Sequence, residues 1–209
     1  MQKKSKMMLN NKDIIIFSSI DWGTHKQLHH QLVESLINQN NNILYIENTG
    51  VRRLELNDFQ RIIVKIKSWF RSSGGFKESK KFLTILVTMI FPFPYSRFFN
   101  FLNSKILISK INKWIKLSNA SRPIIITFLP APLIHNLIDK IDTSLTVYYC
   151  ANHMSKGSKH SLPLKKWEEL MFKRCDFIIS ISDDITNRAK YFNKNIYKVS
   201  PGVDEIFFK

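Results

Sequence analysis

Residues 21–25 place a carboxylate, an indole, a glycine, a hydroxyl and an imidazole side by side: Asp21, Trp22, Gly23, Thr24 and His25. They follow an apolar run and precede a helical pattern. Gly23 would let the backbone approach a bound group, and a helix starting near Thr24 would offer free N–H groups to an anion. The stretch is not GxGxxG, so by itself it does not signal a dinucleotide. Asp21 also suits a helix-terminal acid, and Trp22 a lid over a core.

Four further loops carry polar groups just past apolar runs: Glu47-Asn48-Thr49-Gly50, Pro130-Ala131-Pro132, Ala151-Asn152-His153 and Ser182-Asp183. His153 is the tentative catalytic residue, able to donate to a sugar hydroxyl or to move a proton near neutral pH. The alternative is an exposed loop histidine in a basic segment. His29 and His30 are neighbours in a helical pattern and do not share a direction, so a common metal is not expected. No P-loop, nucleophile elbow or carboxylate–histidine cluster with metal spacing occurs. Neither a metal nor another cofactor is expected.

Those loops need a scaffold, and the hydrophobic pattern supplies one. Apolar β-branched runs at 13–20, 43–47, 82–90, 123–129, 144–150 and 176–182, with a short run at 195–200, read as strands. Between them lie helical patterns: 26–37 with Thr24 as N-cap, 58–71, a long basic helix from Ser96 to about 117, and shorter ones near 131–141, 164–175 and 183–192. Residues 71–77 read as a loop. Continuous apolar strands alternating with helices predict a doubly wound, Rossmann-like α/β domain of about seven mostly parallel strands over residues 13–200, helices on both faces. In such sheets ligands sit at the carboxyl ends of the strands. A flexible basic N-terminus, 1–12, is expected before the domain.

The 209 residues carry 32 Lys+Arg against 16 Asp+Glu, and between Arg52 and Lys116 there are 14 basic and 3 acidic residues. A localised basic excess attracts phosphate on lipid, nucleic acid or a small ligand; compositional drift of the source genome is the plainer reading. Two cysteines, Cys150 and Cys175, form no Cys-x-x-Cys pair and predict reduced thiols in the cytoplasm. No signal-peptide core follows the N-terminus. FLTILVTMIFPFPYSRFF is the most apolar window. Its uninterrupted part falls short of the ~20 residues that a span needs. A buried strand is expected, with a Phe-Pro-Phe-Pro-Tyr edge suited to a membrane interface.

The ordered set DWGTHKQLHHQLVESLINQNNNILYIENTGVR, LTILVTMIFPFPYSRFFNFLN, RPIIITFLP, TVYYCANHMS, CDFIISISDDI and VSPGVDEIF resembles the N-terminal, acceptor-side domain of GT-B glycosyltransferases of the GT4-like type. The resemblance covers about residues 13–208. It implies a two-domain enzyme with a second Rossmann-like domain holding a nucleotide-diphospho-sugar, and transfer in the cleft between them. Asp21, Trp22, Gly23, Thr24, His25, Glu47, Asn48, Pro130, Asn152 and Ser182 would line the acceptor side, with His153 opposite the first loop. Pro201, Gly202, Asp204 and Phe207 would form the exit toward the second domain. Where relatives tend to read Tyr-Asp-Cys and then acids, this chain has Tyr148-Tyr149-Cys150-Ala151-Asn152-His153, so an acidic cleft position is not expected.

The resulting expectation is the acceptor-side half of a retaining glycosyltransferase acting on a cell-envelope or lipid-linked glycan, without the donor domain and inactive by itself. Its partners would be a nucleotide-sugar donor held by a second domain or chain, the glycan acceptor, and an anionic membrane surface at the inner face of the cytoplasmic membrane. A non-catalytic remnant or partner-dependent subunit is the alternative. A basic nucleic-acid-binding protein is a weaker one, because no reader motif is present.

Overall fold

The computed structural model describes residues 9–23, 26–47, 75–88, 90–91, 93–151 and 162–200. The helix expected over 58–71 lies outside them, as do Thr24, His25, Asn48, Asn152, His153 and residues 201–209.

Among the described residues eight strands form one sheet, β1 (Asp13–Phe17), β2 (Asn42–Ile46), β3 (Phe76–Lys80), β4 (Leu83–Leu86), β5 (Ile124–Thr127), β6 (Leu145–Cys150), β7 (Phe177–Ser180) and β8 (Ile196–Lys198). The helices are α1 (Leu28–Ile37), α2 (Arg97–Ser118), α3 (Pro132–Ile138), α4 (Leu162–Arg174) and α5 (Asp183–Ala189). The sheet order is β3-β4-β2-β1-β5-β6-β7-β8. Every pairing is parallel except β3 with β4. The chain winds outward from β1 through β2 to β4, then returns to β5 on the other side of β1. The Rossmann-like α/β expectation therefore holds, with one strand more than anticipated.

The extra strand falls partly where a loop was expected. FKESK has one apolar residue and four charged or polar ones, and four of its five residues are exposed. Nothing in its periodicity marks a buried strand. It pairs antiparallel at the sheet edge, where charged side chains discourage further pairing.

Alternation along the strands divides the core in two. Ile15, Phe17, Leu44, Ile46, Ile125 and Tyr148 face the layer holding α2, α3, α4 and α5. Ile14, Ile16, Ile43, Tyr45, Ile124 and Ile126 face the layer holding α1. Both faces are buried, which is why the strands read as continuous apolar runs.

Helix ends account for several polar residues. Ser96 caps α2 by accepting from the Phe99 N–H, and Ser182 caps α5 by accepting from Ile185. Asn119 takes a left-handed conformation (φ 53°) and closes α2 through bonds to the carbonyls of Ile115 and Lys116. Helix α1 begins at Leu28 with Gln27 in the cap position, so the expectation of Thr24 as N-cap is corrected. The reason is local: His30 Nδ1 accepts from the Gln27 N–H at 3.0 Å and fixes the first turn there.

Candidate functional site

The switch in strand order lies between β1 and β5, so the carboxyl ends of these two strands border the crevice. The β1 end continues into Ser18–Gly23. The β5 end continues into Phe128–Ala131, and the Phe128 N–H still donates to the Phe17 carbonyl at 3.0 Å. Pro130, two residues further along, is buried.

The first loop rests on a buried polar network that no motif announced. Tyr45 donates its hydroxyl to the Ile20 carbonyl at 3.0 Å. Its proton is thus committed, and the 2.6 Å contact with Ser18 has Ser18 donating to the tyrosine oxygen. Ser18 Oγ in turn accepts from the Ile20 N–H at 3.1 Å and from His29 Nδ1 at 2.7 Å. This sequence of donors places the His29 proton on Nδ1. Burial, with a smaller contribution from neighbouring His30, lowers the His29 pKa to about 4, so the ring is neutral at pH 7. His29 also stacks on Phe128 with centroids 3.6 Å apart, joining the β1 side of the crevice to the β5 side.

Trp22 closes this network from above. Its ring meets His30 edge-on at 4.8 Å and Tyr45 at 5.0 Å. Its backbone N–H donates to Glu47 Oε1 at 3.0 Å. Glu47, at the end of β2, is itself tied to β4, its N–H donating to the Leu86 carbonyl. The structure therefore brings Trp22 and Glu47 together, with Asp21 and Gly23 in the same loop. The lid reading of Trp22 is the observed one. A Cβ on Gly23 would meet nothing within 4 Å, so the glycine is not demanded by the protein's own packing. Open space in front of a backbone turn is what a ligand-facing loop provides.

Ser182 stands at the far end of the crevice, past β7. Its hydroxyl is engaged at the start of α5 and its carbonyl accepts from Thr186 Oγ1 at 2.7 Å, so it shapes that helix entry. Between lies the carboxyl end of β6, buttressed by a buried ion pair. Glu168 of α4 is fully buried and is met by Arg188 of α5. The same carboxylate accepts from the Tyr148 hydroxyl at 3.3 Å and from Cys150 Sγ at 3.6 Å. Burial first, then the Glu168 charge, push the Cys150 thiol up to about 12, which makes it a packing group and not a nucleophile. Cys175 is likewise buried and held as a thiol.

The residues the sequence missed are Ser18, His29, His30, Tyr45 and the Glu168–Arg188 pair. For the pair a weak signal existed: a Glu and an Arg on helices that are otherwise amphipathic. For Ser18 and Tyr45 none did, since a serine after a strand and a tyrosine within one are ordinary.

No family model and no curated protein matches this sequence. Among solved structures, the chain is similar to sucrose-phosphate synthase from Thermosynechococcus elongatus, with a TM-score of 0.60 and 12% identity over 92% of this chain and 49% of that one. A shorter chain of the same synthase gives 0.55 and 12%, covering 92% of this chain and 91% of its own length. This chain thus spans about half the length of the longer one. At such identity the likeness is one of fold alone: a Rossmann-like α/β domain.

Proposed function

We propose that this chain is the acceptor-side half of a retaining glycosyltransferase that moves a sugar from a nucleotide-diphospho-sugar to a cell-envelope or lipid-linked glycan. The observation that carries the reading is the Trp22-lidded first loop at the β1/β5 switch point of a glycosyltransferase-like sheet. An indole face beside an open glycine turn suits a sugar ring, and Glu47 below the loop gives it a fixed height. The leaving diphosphate would be held by a second domain or partner chain, where most transition-state stabilisation would arise. His153, which follows β6 in the sequence, is the proposed proton-handling residue. The neutral, wedged His29 holds the loop and takes no part in proton transfer.

Titration of the isotope-labelled chain with water-soluble oligosaccharide phosphates, followed by NMR, tests this. Resonances of the Trp22 indole and Gly23 amide are expected to move, and Gly23→Ala is expected to weaken binding about tenfold while stability changes by no more than about 0.5 kcal/mol. Loop shifts with a nucleotide-sugar but none with the glycan would overturn the proposal. So would turnover of a nucleotide-sugar by this chain alone.

A further inference from the structure

The loop after β4 and the first turns of α2 present an unusual surface. Phe91, Phe93, Phe98 and Phe101 are 43%, 51%, 65% and 49% exposed. They are not scattered. Phe99 joins three of them, with ring centroids 5.2 Å from Phe91, 4.5 Å from Phe93 and 5.4 Å from Phe98, and Phe101 follows one turn after Phe98 on α2. Clustered exposed aromatics of this kind mark an interaction site.

The cluster is also held rigidly. Asn103, buried on α2, donates to the Phe91 carbonyl at 2.9 Å and accepts from the Phe91 N–H at 2.8 Å. Asn100, also buried, donates to the Pro94 carbonyl at 2.7 Å. Two buried amides fasten a loop whose side chains then point phenylalanines outward. Rings that merely lacked room in the core would not need such fastening.

Charge identifies the occupant. Helix α2 contains Arg97, Lys105, Lys110, Lys113 and Lys116 and no Asp or Glu. Lys105 sits over the Phe101 ring with its ammonium 4.5 Å from the centroid, and Arg97 adjoins Phe98. Exposed phenylalanines beside exposed cations, with no acid on the helix, match the boundary between acyl chains and anionic headgroups. No helix among the described residues is long and apolar enough to cross a membrane, so contact would be from one side.

Position gives the contact a purpose. β4, β2, β1 and β5 run parallel, so their carboxyl ends share one edge of the sheet. The phenylalanine cluster follows β4 on that edge, as the Trp22 loop follows β1. We infer that the rim at Phe91–Phe101 docks on an anionic bilayer and sets the crevice against the membrane that holds the lipid-linked acceptor. The second half rests on the proposed function; the docking itself does not.

Co-sedimentation of the full chain with vesicles of phosphatidylglycerol and phosphatidylcholine, against phosphatidylcholine alone, tests docking without any sugar chemistry. Binding to the anionic vesicles is expected, weakened by added salt. Phe98→Ser with Phe101→Ser should lower it about tenfold or more, given the apolar area withdrawn. Tyr191→Ser, at a still more exposed aromatic elsewhere, should leave it unchanged. Thermal melts verify that all variants remain folded. Equal binding to both vesicle types, or wild-type binding by the double variant, would overturn the inference. So would a self-association that the double variant abolishes in the absence of lipid. Failed docking with intact oligosaccharide binding would remove the membrane surface and spare the cleft.

Discussion

The Glu168–Arg188 pair offers the sharpest test of how the β6 end of the crevice is held. The Glu168 side chain is 1% exposed and Arg188 is 23% exposed. Replacing Arg188 by Met removes the cation and keeps much of the volume. Among the described residues the carboxylate then retains the Tyr148 hydroxyl and the Cys150 thiol. Removing one partner of a buried pair costs about 3–5 kcal/mol. Loss of the Arg188 contact with the Phe172 ring, at 5.4 Å, adds about 0.5–1 kcal/mol.

Urea unfolding of wild type and Arg188→Met should therefore differ by about 3–5 kcal/mol at pH 7. Adding Glu168→Met should recover at least about 2 kcal/mol relative to the sum of the two single changes. Recovery should be incomplete, because Tyr148 would lose its acceptor. A penalty under about 1 kcal/mol would refute the reasoning, since the pair would then be no better than an exposed one.

Two further outcomes follow from the buried histidines and the serine. His29 and His135 are each lowered to about 4, chiefly by burial. His135 accepts from Arg174 at Nδ1, since a guanidinium can only donate, and Nε2 donates to the Trp167 carbonyl, so its neutral form is fully satisfied. The unfolded chain takes up these protons near pH 6.5 and the folded chain only near 4. Stability should thus be full above about pH 6.5 and fall as pH drops toward 4, with His29 alone contributing about 3 kcal/mol. Urea midpoints that stay flat from pH 7 to pH 5 would contradict this. Ser18→Ala should cost about 1–3 kcal/mol, because His29 and the Ile20 N–H lose their acceptor inside the protein; unfolding within about 0.5 kcal/mol of wild type would remove the network from the account.

Legibility in the sequence tracked periodicity. Runs such as IIIF, ILYI and IIIT are apolar on both sides because both faces of the sheet are covered, and these strands lie where the pattern placed them. Ser96 was readable as a helix entry and the start of α2 follows it, and the start of α5 at Asp183 lies where the pattern placed it, although its cap, Ser182, was read as a loop residue. FKESK was not readable, because an exposed edge strand owes its conformation to its neighbour and not to burial. The position of the first loop was legible from strand–helix order; its contact with Glu47 was not, since it depends on β1 pairing parallel with β2. The helix start at Leu28 was not, since it depends on a histidine side chain reaching back to Gln27. The polar network beneath the loop was illegible for a similar reason: it joins residues from β1, α1 and β2 that are unremarkable in each segment.

That network bears on how such a half-cleft can stay in shape. A loop at a switch point has few backbone partners, since the strand ladder ends beneath it. Here Ser18, Tyr45 and His29 replace the missing ladder with side-chain bonds, and Trp22 adds two ring contacts above them. All of these partners belong to the domain itself. The described part of the Trp22 loop is thus held by side chains of the same sheet and of α1. The same division explains why Gly23 has free space before it while Ser18 has none: the loop is fixed from below and open from above.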